Sequence, residues 1–138
     1  MVSTHFHGEV HVDDLEQIRG KLQSGLNVLQ QVQELYDQDM WDISEPIFDK
    51  VRHIHIHLSI SIGKLAKLLE RLDHRAHLGE NVEAPSRSEV GPILADLVMH
   101  AAQIASAYQI DLGSALAYRY KENALRFAPD SHFARFGD

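Results

Sequence analysis

Apolar residues recur every three or four positions along two long stretches of the chain, which is the spacing of one face of an α-helix. The first stretch follows Asp13 and Asp14, whose carboxylates favour the positive end of a helix dipole. Its apolar face comprises Leu15, Ile18, Leu22, Leu26, Leu29, Val32 and Tyr36. The second stretch follows Ser44, which is a predicted N-cap. Its apolar face comprises Ile47, Val51, Ile54, Leu58, Ile62, Leu65, Leu69 and Leu72. The pattern predicts two long amphipathic helices.

Two shorter helices are predicted in the second half of the chain. Residues 78–88 have the composition of a loop, and Ser88 at its end is the predicted N-cap of a third helix. Asp111 is the predicted N-cap of a fourth helix that runs from residue 112 to about residue 127, because Pro129 cannot continue it. Residues 53–57 (HIHIH) alternate as a strand does, but the helical apolar spacing continues on both sides of them, so we assign them to the second helix. The sequence therefore predicts an all-α fold of four helices.

The composition is that of one globular domain, with 44% hydrophobic and 24% charged residues in a chain of 138. We expect a histidine-containing N-terminal segment over residues 1–12, a single helical domain over residues 13–127 and a tail over residues 128–138. Gly63 lies inside the apolar face of the second helix, where glycine costs about 1 kcal/mol relative to alanine. This cost predicts that another helix packs closely against Gly63.

Charge and residue usage exclude several classes of function. The 13 basic and 20 acidic side chains give a net charge of −7, so no basic face is expected for nucleic acid. The chain has no cysteine, which excludes disulfides and thiolate metal sites. It shows neither a secretion signal nor an apolar run of about 18 residues, so we expect a cytoplasmic protein without a membrane partner. Protonating all ten histidines would add ten charges to −7 and give +3, which makes the surface potential sensitive to acid.

Four segments resemble the MazG-like nucleotide pyrophosphohydrolases. Residues 94–98 (LADLV), 107–112 (AYQIDL) and 119–127 (RYKENALRF) are similar to the family's ELAD helix, its LGIDL turn and its K-x-E-K-N-x-x-R-Y helix, in that order. Upstream, residues 62–67 (IGKLAK) are similar to the family's EExGELA segment. The resemblance covers about residues 58–127. It implies an all-α, four-helix MazG-like bundle that is completed by oligomerisation, as a homodimer or homotetramer.

The resemblance also implies a site at which Mg²⁺ assists the hydrolysis of nucleoside triphosphates to monophosphates and pyrophosphate. The family's metal ligands are an E-x-x-E pair and an E-x-x-D pair, and i, i+3 spacing places each pair on one helix face. In this chain the four motif positions are occupied by Ser61, Lys64, Ile93 and Asp96, so only one carboxylate remains. We therefore expect the Mg²⁺ cage to be lost and Lys64 to form an ion pair with Asp96.

Two functions remain open at this stage. The first is a catalytically silent MazG-like protein that serves as a nucleotide-binding or other ligand-binding, regulatory or assembly module. The alternative is an active nucleoside triphosphate pyrophosphohydrolase with an altered or histidine-containing metal site. Lys64 and Asp96 occupy two of the motif positions, and Arg119 and Asn123 match polar positions of the family's fourth helix, so these four residues are the candidates for binding a nucleotide or another phosphorylated small molecule. The competing interpretation of Arg119 and Asn123 is that they are helix-surface residues.

Histidines supply a further candidate site. His53 and His57 are four residues apart on the second helix, and Asp96 and His100 are four residues apart on the third. If these helices face each other as the MazG-like resemblance implies, the four side chains converge into a set of imidazole and carboxylate ligands that suits Zn²⁺. The competing interpretation is that they are hydrogen-bonded or solvated histidines. A second cluster, at His5, His7 and His11, also has residue types that bind transition metals.

Overall fold

The protein is all-helical in the part of the chain that the structure describes, residues 12–40 and 46–137 of a computed structural model. Its four helices are α1 (Val12–Met40), α2 (Ile47–His77), α3 (Arg87–Ala107) and α4 (Leu112–Phe127), followed by a short 3₁₀ turn (His132–Arg135). These described residues contain no β-strand, so the all-α prediction is confirmed. The predicted cap Ser44 and the cluster of N-terminal histidines lie outside the described residues.

The start of α3 differs from the prediction. Ser86, not Ser88, is the N-cap: its hydroxyl accepts the N–H of Glu89 at 3.3 Å, and its own N–H donates to the Glu89 carboxylate at 2.9 Å. This reciprocal capping box satisfies two N–H groups that the first helical turn leaves without a partner. The backbone N–H and the hydroxyl of Ser86 both donate to Glu89, and together they lower the pKa of that carboxyl below its ordinary value. At α4 the predicted cap is confirmed, since Asp111 Oδ1 accepts the Ser114 N–H at 2.8 Å.

The C-terminal residues are folded where the sequence predicted a tail. The 3₁₀ turn begins at Ser131, whose hydroxyl accepts the N–H of Phe133 at 3.3 Å. Phe136 is buried, and its ring lies 5.2 Å from that of Phe133 and 6.0 Å from that of Tyr120 on α4. The turn therefore packs on α4 through aromatic contacts, and the prediction of a tail is wrong for these residues.

The chain divides into two compact units. The terminal unit is formed by the chain up to Leu29 together with the chain from Asp111 onward, and the central unit comprises Gln30–Ile110. The single domain predicted for residues 13–127 stays a prediction.

In the terminal unit, a glycine sets the approach of α4 to α1. A Cβ atom added to Gly113 would lie 2.7 Å from the Cα of Gln23 and 3.0 Å from its carbonyl oxygen. Such contacts are with backbone, which has no freedom to move aside. Gly63, by contrast, has no such neighbour within 4 Å in the part of the chain that the structure describes. The prediction that Gly63 marks close packing is wrong, and Gly113 takes that role.

In the central unit, α2 and α3 pack along each other as an antiparallel pair. His57 meets His100, and Lys64 shares a cavity with Asp96, so residue numbers rise along one helix as they fall along the other. The buried residues that these two helices contribute are Ile54, Ser61, Ile93, Ala102 and Ala105. This core is small, and none of the large side chains among the described residues is fully buried.

The third helix is also unusually apolar for one that is so exposed. Among the described helices, α3 is the one that is long and apolar enough to cross a membrane by length and composition, with a mean hydropathy of 1.3 in its most apolar window. Only 17% of that window is buried. α3 therefore carries apolar surface that the described helices leave uncovered.

Candidate functional site

A cavity of about 290 Å³ opens in the central unit, between the C-terminal part of α1 and the paired helices α2 and α3. The lining residues are Tyr36, Asp37, Lys50, His53, Ile54, His57, Ile60, Ser61, Lys64, Asp96, Met99, His100 and Gln103.

The motif positions taken from the MazG-like family converge on this cavity with one exception. Ser61, Lys64 and Asp96 line it, whereas Ile93 is buried at 7% exposure and faces the helix packing. The expected Lys64–Asp96 ion pair is wrong: the salt bridges between described residues do not include one joining these two side chains.

The three histidines predicted as ligands share the cavity with Asp96. The ring centroids of His53 and His57 are 4.7 Å apart, and those of His57 and His100 are 6.2 Å apart. The side chains of His53 and His57 on α2 and of His100 on α3 therefore lie around one cavity. In their present conformations, no three His, Asp or Glu side chains among the described residues are arranged to hold a metal ion.

Sequence reasoning missed a polar network behind these histidines. Asp37 Oδ1 accepts the side-chain amide N–H of Gln33 at 2.9 Å and that of Gln103 at 2.8 Å. Gln103 Oε1 in turn lies 2.9 Å from Nδ1 of His100. Gln33 is only 3% exposed, and its buried side-chain amide donates to Asp37, as buried polar groups generally require.

The signal for that network was the register of α1. Val32 and Tyr36 belong to the predicted apolar face of α1, yet they are 57% and 42% exposed. The inward positions are instead taken by Gln33 and Asp37, one residue further along and also four apart. A spacing of four residues allows either Val32 and Tyr36 or Gln33 and Asp37 to face inward. Because Gln33 and Asp37 are polar, the sequence favoured the other pair.

The remaining predicted ligand-binding residues lie on α4, in the terminal unit. Arg119 is exposed and forms an ion pair with Glu122, with Nη1 and Oε2 3.3 Å apart. Asn123 is also exposed. The cavity-lining members of the predicted set are therefore Lys64 and Asp96.

The charges around the cavity are balanced when histidine is neutral. Lys50 and Lys64 supply two positive charges, and Asp37 and Asp96 supply two negative charges. The Asp37 carboxylate is engaged by two amide donors, which leaves Asp96 as the carboxylate with no hydrogen bond to a described side chain. A cavity with one such carboxylate and two ammonium groups suits an anion better than a hard dication, which requires several oxygen ligands.

Comparison with known proteins gives no relative: no family model, no curated protein and no solved structure matches this chain.

Proposed function

We propose that this protein is a MazG-like binding module that has lost the family's Mg²⁺ cage and takes a nucleotide or another phosphorylated small molecule in the central cavity. The observation that supports the proposal is the shared placement of Ser61, Lys64 and Asp96, three of the four motif positions, around one cavity. In this chain those positions carry a hydroxyl, an ammonium and a single carboxylate.

The residue exchange at the motif explains why binding is proposed rather than hydrolysis. Mg²⁺ demands an octahedral set of oxygen ligands and gives up its water reluctantly. Replacing a carboxylate with Lys64 places a positive charge beside the cavity where the family holds a dication. The same ammonium is a suitable donor to a phosphate oxygen, since hydrogen bonds between charged partners are the stronger kind.

The test is binding of ATP, dATP and inorganic pyrophosphate by calorimetry, with a chelator present to remove metal ions. We expect Lys64→Ala to weaken binding about tenfold or more, because a charged hydrogen bond contributes roughly 1.5–3 kcal/mol. Lys67→Ala is the matched control, since Lys67 is exposed one turn further along α2 and does not line the cavity. Equal affinities for the two variants, or no binding of these phosphates by the unaltered protein, would contradict the proposal.

The second candidate is an active nucleoside triphosphate pyrophosphohydrolase, which the three histidines of the cavity favour. A metal held by imidazole groups lowers the pKa of a bound water and so supplies a nucleophile at neutral pH. Pyrophosphate release from metal-stripped protein resupplied with Mg²⁺, Mn²⁺ or Zn²⁺ separates the candidates. Turnover with Zn²⁺ alone supports the second candidate, and turnover with Mg²⁺ shows that the carboxylate cage lies elsewhere.

We further propose that the protein is a homodimer or homotetramer in the cytoplasm, in which a second copy covers the apolar faces of the central unit. Val32 and Leu35 on α1 are 57% and 63% exposed, and Leu94 and Val98 on α3 are 50% and 48% exposed. Each pair lies on one helix face at a spacing of three or four residues, which is how helices present a packing surface. Contiguous apolar patches of this kind mark interaction sites.

A further inference from the structure

The α2 side of the cavity carries a row of hydrogen-bond donors, one in each helical turn. Its members all line the cavity, and they are Lys50, His53, His57, Ser61 and Lys64. They follow one another at steps of three, four, four and three residues, which places them on one face of the helix. Fourteen residues separate Lys50 from Lys64, so this donor row is about 21 Å long at the rise of an α-helix.

The donor row begins and ends with an ammonium group. Neither Lys50 nor Lys64 forms a salt bridge with another described residue. Side chains on a helix lean toward its N-terminus, so both lysines lean in the same direction and their ammonium groups stay roughly as far apart as their Cα atoms. A single phosphate or a pyrophosphate is much shorter than this distance. Such a compact ligand can therefore contact one of the two lysines but not both.

The other helices around the cavity place two carboxylates and one imidazole opposite the donor row. On α1, the Asp37 carboxylate accepts hydrogen bonds from two side-chain amides. On α3, Asp96 lines the cavity without such a bond to a described side chain, and the ring of His100 lies 6.2 Å from that of His57. Asp96 is therefore the carboxylate that most directly opposes an anion, whereas both ends of the donor row attract one.

We propose that the ligand of the central cavity carries a linear chain of several phosphates, which lies along α2 and reaches from Lys64 to Lys50. The proposal rests on the proposed function for the phosphate that Lys64 binds, and it names the class of ligand. Each unit of such a chain is negatively charged, so the chain can contact both ammonium groups and the donors between them at the same time. Free inorganic polyphosphate and a nucleotide with a long phosphate chain share this chemistry.

Chain length is the first test, measured by calorimetry with a chelator present and no added metal. The probes are pyrophosphate, tripolyphosphate and a linear polyphosphate long enough to span about 21 Å. We expect the longest probe to bind about tenfold or more tightly than pyrophosphate, because it adds a second charged contact. Polyglutamate of similar length controls for unspecific attraction of a polyanion. Equal affinities for the three phosphates, or for polyglutamate and the long polyphosphate, would overturn the proposal.

Substitutions at the two ends of the donor row distinguish an extended ligand from a compact one. We expect Lys50→Ala to weaken the long polyphosphate about tenfold or more and to leave pyrophosphate, bound at Lys64, unchanged. Lys64→Ala should weaken both ligands, and Lys67→Ala, which removes an exposed charge outside the cavity, should weaken neither. An unchanged affinity of Lys50→Ala for the long polyphosphate would overturn the proposal. Circular dichroism checks that each variant is folded.

Asp96 provides a test of the opposite sign. Asp96→Asn keeps the shape of the side chain and removes the negative charge that faces the donor row. We expect this variant to bind the long polyphosphate more tightly than the unaltered protein, because like charges repel each other. Weaker binding would contradict the placement of a phosphate chain beside Asp96.

Two further comparisons identify the source of the phosphate chain and separate this proposal from the proposed function. Diadenosine tetraphosphate and inorganic tetrapolyphosphate have the same number of phosphates, so the tighter of the two identifies a nucleotide or a free polyphosphate as the ligand. Binding of ATP and pyrophosphate through Lys64, with no gain from a longer chain, keeps the proposed function and overturns the extended ligand. Binding of the long polyphosphate through both lysines, without binding of ATP, dATP or pyrophosphate, supports the extended ligand and contradicts the proposed function.

Discussion

Two glycines in helices show how much a single residue type leaves undecided. Glycine inside a helix lowers the stability of that helix, so a structural reason such as a close contact is expected at both Gly63 and Gly113. At Gly113 the reason is the backbone of Gln23, 2.7 Å from where a Cβ would stand. At Gly63 the described residues supply no such contact. The sequence shows that both glycines are costly in a helix. The contact that explains Gly113 is made by Gln23, which is far away along the chain.

Alanine at these two positions should have opposite effects on the free energy of unfolding. Gly63→Ala should stabilise the protein by about 0.5–1 kcal/mol, since alanine is the better helix former and the site has room. Gly113→Ala should destabilise it by roughly 1–3 kcal/mol, because the new Cβ forces two backbones apart. Urea unfolding followed by circular dichroism measures both. A loss of stability in Gly63→Ala would indicate that a second copy packs on this face.

The buried network around Asp37 makes a second prediction at this scale. Removing the carboxylate in Asp37→Ala leaves the amides of Gln33 and Gln103 without their acceptor, and an unsatisfied buried polar group costs about 1–3 kcal/mol. Asp39→Ala removes the same charge from an exposed position on α1 and serves as the control. We expect urea unfolding to separate the two variants by that amount. Indistinguishable unfolding curves would show that the network does not stabilise the fold.

At the scale of elements, the sequence predicted all four helices and missed details at their ends and faces. Periodicity located α1 to α4, and Asp111 was found because its acceptor side chain directly precedes an apolar run. The start of α3 was misplaced because two serines compete, and the deciding residue is Glu89, three positions after Ser86. The 3₁₀ turn was missed because its stability comes from Phe133 and Phe136 against α4, a tertiary contact with little local signal.

The two serines at the start of α3 provide a direct test of where the helix begins. Ser86→Ala should lower the free energy of unfolding by about 1 kcal/mol, the usual loss when an N-cap hydroxyl is removed. Ser88→Ala should have a smaller effect, since Ser88 only hydrogen-bonds the Ser86 hydroxyl, at 3.0 Å. Chemical denaturation compares the two. A larger loss in Ser88→Ala would restore the helix start that the sequence first indicated.

The same capping box predicts a dependence on pH. Because Ser86 lowers the pKa of Glu89 below its ordinary value of 4.5, the carboxylate stabilises the folded state above that pH. That contribution is lost as the pH falls through the lowered pKa. Glu89→Gln should therefore be less stable than the unaltered protein at pH 7, and the difference should shrink on acidification to pH 3. A difference that is constant with pH would show that the charge of Glu89 has no part in the cap.

At the scale of the whole molecule, exposed apolar residues outnumber buried ones. The described residues include 22 large apolar side chains that are exposed, whereas the buried apolar set has eight members, five of them alanines.

The candidate site has features that the sequence could predict and features that it could not. The placement of His53, His57, Asp96 and His100 around one cavity was expected from their spacing together with the helix pairing that the MazG-like resemblance implies. The inward turn of Gln33 and Asp37 required the actual packing of α1.

Self-association is the expected way to cover this surface, and it can be measured directly. We expect light scattering coupled to size exclusion to give the mass of a dimer or tetramer. Leu35→Glu and Val98→Glu should shift it toward the monomer, because each buries a charge in an apolar contact. Gln38→Glu adds the same charge at an exposed polar position of α1 and should leave the mass unchanged. A monomeric protein that instead binds phospholipid vesicles through α3 would contradict the proposal and make a membrane surface the partner of these apolar faces.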